Sequence, residues 1–409
     1  MISRAQIGWR VFLPFAAGVL LSYFFRSLNA VLDSYLRADV PGVDRETIGI
    51  ITGSFFLAIA LFQIPLGVLL DRFGPRRVEA LLLLVAAAGC VAFAAADGVT
   101  SLFIGRALIG LGMAAGLMAA LKAAALWYSA DELPAINGWV MAVGSLGTIL
   151  ATVPIQWALE MFDWRDMFIA LSALTLLLAL TIFTVVPERS GHDAGPTSMI
   201  GGLAGIWRSP VYWRFMPFFV MGQGTLVAVQ TLWIAPWLLD VRGYDEEMKS
   251  IHLLLMAATQ LIALSLLGRC VRFFTLFGLS PLAIAAGSLV LGLAVLVTIG
   301  ANPTWVPAWL LLVLLSVGAS GSTLFFAAIT QQFPVALSGR LVTSLNMSVF
   351  AMVFVAQSLI GILVDHLVED RNMDISAAYG FSFAVLAALQ IVPLVLLVTL
   401  KAGRDPARP

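Results

Sequence analysis

A chain of 409 residues with 61% hydrophobic and only 11% charged side chains carries far less charge than a water-soluble domain, in which charge is about a quarter of all residues. A mean hydropathy of +0.99 puts most of it in lipid, and a formal net charge of zero hides a lopsided distribution of basic residues. Cys90 and Cys270 give no disulfide framework, and no H-E-x-x-H, phosphate loop or Cys/His cluster suggests an enzyme, a metal or a cofactor.

A membrane-spanning helix takes about twenty mainly apolar residues. Along the chain that template gives runs at 9–36, 47–70, 78–96, 100–126, 136–158 and 166–186, then 213–239, 249–268, 280–300, 305–328, 341–364 and 377–400. Arg4 and Arg10 ahead of the first run resemble a secretory signal, but the run outlasts signal length and contains Arg26, so it reads as a retained helix. The interval 187–212, with Pro187, Gly191, Gly195, Pro196 and Gly201-Gly202, is the linker; its Leu203–Trp207 piece is amphipathic enough to lie on a membrane surface. Domains of 1–186 and 213–409 follow, six helices each, as an all-α membrane protein. The halves echo each other: Gly67–Arg77 is answered by the weaker Leu267–Gly278, and Pro134–Gly138 by Pro334–Gly339. Such repeats favour a transporter binding its substrate near the midplane, between the halves.

Basic residues set the orientation. Arg4, Arg10, Arg72, Arg76, Arg77, Arg189, Arg208, Arg214, Arg269, Arg272, Arg340, Lys401, Arg404 and Arg408 fall on the N-terminal side, whereas Arg37, Arg45, Arg165, Arg242, Lys249 and Arg371 fall on the other. Both termini are therefore expected in the cytoplasm of a multi-pass protein of the inner membrane.

The stretch Gly67-V-L-L-Asp71-Arg72-F-Gly74-Pro75-Arg76-Arg77 resembles the signature loop between helices 2 and 3 of the major facilitator superfamily, with Pro75 where a first basic residue often follows the glycine. Arg106-A-L-I-Gly110-L-Gly112 resembles that family's helix-4 motif, and Gly144-S-L-Gly147-T-I-L-A-T-V-Pro154 its helix-5 motif. The resemblance covers the whole chain. It implies two pseudo-symmetric six-helix bundles, solute transport by alternating access, a latch role for Asp71, Arg72 and Arg76 in the outward-facing state, and a gating role for Arg106 toward helix 1.

Charge inside a span costs at least about 2.5–3.5 kcal/mol and needs a reason. Arg26, Arg106 and Lys122 are the basic residues left in spans once loops are assigned, and Asp33 is the deepest acid. Arg26 shares a helix face with Tyr23, Asn29 and Asp33, which makes it either a guanidinium fork for an anion or an interhelical strut. Lys122 either faces the cavity or snorkels to the interface. Gln230, Trp233, Asn346 and Gln357 are the second half's neutral candidates for the site.

With no midplane acid, the expected cargo is a small organic anion, a carboxylate, in a monomer surrounded by lipid, with protons as the candidate coupling ion through Asp33 and no nucleic-acid partner. The alternative is multidrug or other efflux. Nitrate/nitrite porters carry denser glycine motifs than N-M-S-V-F-A-M-V-F-V-A-Q in helix 11, and a non-transporting protein would not keep the polar stripe.

Overall fold

Backbone amides and carbonyls in lipid must find partners within their own segment, and apolar runs of this length meet that demand as helices. The computed structural model describes residues 4–129, 131–189, 199–334 and 337–399, and among these the regular structure is helical with no strand. The spans are α1 (Gly8–Asp39), α2 (45–73), α3 (75–94), α4 (Val99–Trp127), α5 (Leu133–Met161) and α6 (Trp164–Val185). A short linker helix, Met199–Trp207, leads into α7 (Pro210–Asp240), α8 (Glu246–Leu276), α9 (Pro281–Ala301), α10 (Ala308–Thr330), α11 (Ser338–Asp370) and α12 (Ile375–Thr399). The membrane protein therefore has the twelve spans expected from its sequence.

Nothing but Gly74 separates α2 from α3. It takes φ +76°, open to glycine and strained for other residues, and Pro75 starts the next helix with its fixed φ and missing N–H. The same device recurs in the second half, where Gly278 takes φ +81° between α8 and α9. Another repeated feature is a break partway along one span of each half, at Ala114-Ala115 in α4 and at Thr323 in α10. The helix-4 glycines serve close approach: a Cβ on Gly110 would collide with the Phe55 backbone of α2, and one on Gly112 with Ala86 of α3.

The two halves are joined at one end. Arg45 at the start of α2 pairs with Asp240 of α7 at 3.0 Å and lies 3.8 Å from Asp365 of α11. The Glu46 N–H donates to Asp365 at 2.6 Å, and the Tyr379 hydroxyl of α12 donates to Asp240 at 3.2 Å. Nearby, Lys249 of α8 donates to the Val31 carbonyl of α1 at 3.4 Å, and Ser250 to Gln156 of α5 at 3.4 Å. Small residues let the backbones touch: a Cβ on Gly361 would strike the Arg45 carbonyl, and one on Gly49 the Gln357 carbonyl. These hydrogen bonds and ion pairs tie the first half to the second at this end.

At the opposite end, charges pair within the first half. Asp71 pairs with Lys122 of α4, and Arg77 with Glu188, while Arg76 donates through Nε to the Phe183 carbonyl at 2.9 Å. Asp71 thus meets a lysine from α4, two helices further along the chain. The linker helix folds onto the second half: Leu203 and Ile206 are buried, and the Trp207 indole donates to Ser344 at 2.8 Å. Gly191, Gly195, Pro196, Lys401, Arg404 and Arg408 lie outside the described residues.

A candidate anion site below the joined end

Near the middle of α1, Arg26 faces the second half, and the Tyr23 ring beside it lies over Gly144 of α5. The Arg26 guanidinium lies 4.6 Å from the Tyr23 ring centroid and 5.3 Å from that of Phe350 on α11. Phe350 itself stacks on Phe56 of α2 at 6.1 Å. A cation between two ring faces is held by their quadrupoles, and its N–H edges stay directed in the ring plane. Arg26 forms no ion pair among the described residues, and its Nε has no hydrogen-bond partner. Tyr23, Arg26, Ser27, Asn346 and Phe350 are each partly exposed. Asn346 lies one turn from Phe350 on α11. This is a cationic, aromatic-walled position just below the joined end.

Arg106 is different. It is fully buried, donates through Nη2 to the Phe25 carbonyl at 2.6 Å, and lies 4.7 Å from the Phe55 ring centroid. It therefore clamps the α1 backbone one residue before Arg26, a positioning contact toward helix 1.

The remaining expected site residues are engaged elsewhere in this conformation. Asn29 is buried and donates to Thr52 of α2 at 2.9 Å. Trp233 is buried and donates to the Gln357 carbonyl at 3.1 Å, while the Gln357 amide donates to Thr231 at 3.1 Å. Gln230 lies in a wide helical turn, 229–233, with an unpartnered amide nitrogen. Asn29 thus ties α1 to α2, and Trp233, Thr231 and Gln357 tie α7 to α11 near the joined end. Asp33 does not reach Arg26: both its oxygens take Arg37, at 3.0 and 2.7 Å. Lys122 reaches outward to Asp71, and Arg72 lies over Phe73 at 5.2 Å.

Two charges correct the sequence reading. Lys249, assigned to an outer loop, has a fully buried side chain inside the first turn of α8, paired with Glu246. Glu79, unremarked in the sequence, is 1% exposed inside α3, so Asp33 is joined by a second buried acid within a span. Phe350 was also missed, because a phenylalanine in an apolar helix carries no signal until an arginine from the other half lies against it.

The family model for the Major Facilitator Superfamily matches residues 15–357. The chain belongs to that superfamily. The transporter is 26% identical to the hexuronate transporter of Escherichia coli (strain K12) over 186 residues, 45% of this chain and 43% of that one. It is 24% identical to the probable sulfoacetate transporter of Cupriavidus necator over 240 residues, 55% of this chain and 56% of that one. It is 27% identical to the quinolone resistance transporter of Acinetobacter baumannii over 178 residues, 42% of this chain and 40% of that one. The matches thus span about half the length of these relatives. In fold it resembles a bacterial homologue of the human lysosomal transporter Spinster, solved inward-facing and unoccupied, with TM-score 0.73 and 15% identity over 97% of this chain and 95% of that one.

Proposed function

We propose that this superfamily transporter is a secondary active carrier of a small organic anion, a carboxylate, moved across the inner membrane by alternating access with protons as the coupling ion. The observation that carries the reading is Arg26: a partly exposed guanidinium between Tyr23 and Phe350 with no acid to neutralise it. An arginine in that setting waits for an anion, whose carboxylate accepts two parallel N–H donors. Asn346 lies within a turn to receive a hydroxyl or carbonyl of the same ligand. The hexuronate and sulfoacetate relatives are named for carboxylate cargoes, which supports the same chemistry. The quinolone resistance relative keeps efflux as the second reading.

Both termini belong in the cytoplasm on this proposal, so the joined end is external and the conformation is inward-facing. The chain divides into 1–186, the linker 187–212, and 213–409, and the protein works as a monomer. In the inward-facing state Asp71 is held by Lys122 within its own half, as expected of a latch that engages the second half only when the carrier faces outward.

The test is uptake of labelled hexuronates and short carboxylates into proteoliposomes, with and without an inward proton gradient. Carboxylate uptake raised by the gradient is the expected result. Gradient-driven movement of lipophilic amines with no carboxylate uptake overturns the reading in favour of efflux. Gly243→Cys, in a Cys270→Ser background, should label from outside intact cells; labelling only after permeabilisation reverses the orientation.

A further inference from the structure

Glu79 lies a little over one turn beyond the Gly74 break, where α3 enters the membrane. Its side chain turns inward, so that a Cβ added to Gly18 of α1 would fall 2.6 Å from its Oε1. Its Oε2 is buried without a hydrogen-bond partner. Every cation within reach is committed elsewhere. Arg76 holds the Phe183 carbonyl and lies 3.8 Å from Glu188, Arg77 pairs with Glu188, and Lys122 pairs with Asp71. Arg72 of the α2–α3 junction is exposed over Phe73. On α1 the only ionisable group between Arg10 and Arg26 is Tyr23. α4 offers only Lys122 between Gly116 and Trp127, α5 none between Glu132 and Glu160, and α6 none between Asp166 and Glu188.

A carboxylate removed from water without a cation or donors is too costly to persist ionised, so the side chain is neutral while α1 covers it. We propose that Glu79 is a proton-binding site of the transporter, loaded while α1 packs on α3 at Gly18 and unloaded when α1 moves away. This rests on the alternating-access reading above. Ionisation needs water or a donor to enter between the two helices, and Gly18 leaves room for the acid but for nothing larger. α1 also carries Arg26, eight residues and about 12 Å further along the same helix. A movement of α1 that opens or closes the anion site therefore changes the exposure of Glu79, and proton occupancy in turn biases that movement. Asp33 is less suited to the task because Arg37 already holds both its oxygens. If Glu79 were only a neutral filler, its charge state would not vary and its replacement by glutamine would be silent.

The experiment measures a distance distribution between spin labels at Gly138→Cys on α5 and Gly339→Cys on α11, both in open surroundings, in full-length protein lacking Cys270. Measured from pH 5 to 9 without substrate, the distribution should shift between open and closed populations. Glu79→Gln should hold the low-pH distribution throughout, and Glu79→Asp should restore the shift. Should Glu79→Gln fail to fold, Glu79→Leu, which suits an apolar pocket, should show the same fixed distribution. A Glu79→Gln protein that shifts as the wild type does, or a wild type indifferent to pH, overturns the proposal. Adding a hexuronate at fixed pH tests the anion reading separately, because that response requires Arg26 and not proton release at Glu79.

Discussion

The two ends of the transporter handle their charges in opposite ways. At the joined end, Arg45, Asp240, Asp365 and Lys249 reach across the boundary between the halves, and glycines 49 and 361 bring the backbones into contact beneath them. At the linker end, Asp71, Lys122, Arg76, Arg77 and Glu188 satisfy each other within the first half. Charged groups at one end thus bond across the boundary between the halves, and those at the other end within one half. A carrier needs that arrangement, because bonds that were permanent at either end would fix one conformation. Arg26, the proposed anion contact, lies between these regimes, where the halves are close enough for Phe350 to lie against its guanidinium.

The difference can be broken most severely at Gly361. Valine there has no space against the Arg45 carbonyl, so Gly361→Val should prevent the joined end from closing and abolish transport while the protein remains folded. The check is accessibility of Ser250→Cys, nearly isosteric and buried at the same boundary in the present state, which should label readily in a Gly361→Val, Cys270→Ser background.

A smaller effect is expected at the ion pair. Arg45→Ala leaves Asp240 and Asp365 facing each other without their shared cation, and should shift the conformational equilibrium by about 1–2 kcal/mol, roughly five- to thirtyfold, toward a state open at the joined end. Distance measurements between labels on the two halves report it. An unchanged distribution would show that glycine packing alone closes that end.

How much of this was legible in sequence depended on how local the signal was. The spans, the glycine at the α2–α3 break and its echo at Gly278 are written in runs of neighbouring residues, and so is the isolation of Arg26. Lys249 was misplaced because it follows three acids in what reads as a loop, although Asp245 caps a helix there by accepting the Met248 N–H at 2.8 Å. Glu79 was misplaced by its closeness to Arg76 and Arg77, since one turn of helix separates the lipid surface from the bundle interior. Trp233 and Gln357 looked like cavity groups by spacing, but spacing cannot tell whether a face meets water or another helix.

At the linker end the effects should be milder. Asp71→Asn removes a pair that is largely exposed on the Asp71 side, so equilibrium affinity should stay within several-fold while transport slows. Normal transport by that variant would remove the latch from the account. Smallest of all is Glu132, where the Ser129 backbone N–H and hydroxyl hold the carboxyl below its usual range at the start of α5. A carboxylate with a lowered pKa stabilises above the acid range and loses that contribution as pH falls. Glu132→Gln should therefore lower the melting temperature slightly at neutral pH and not at all in acid.

The central claim is that Arg26 receives the anion's charge. Calorimetric titration of a hexuronate into wild type, Arg26→Lys and Arg26→Ala protein tests it most directly. Lysine keeps the charge but loses the planar fork, so affinity should fall by about 1–3 kcal/mol, and alanine should abolish binding while the protein stays monodisperse. An alanine variant that binds the hexuronate with unchanged affinity would contradict the account, as would one that unfolds, since Arg26 would then be a strut.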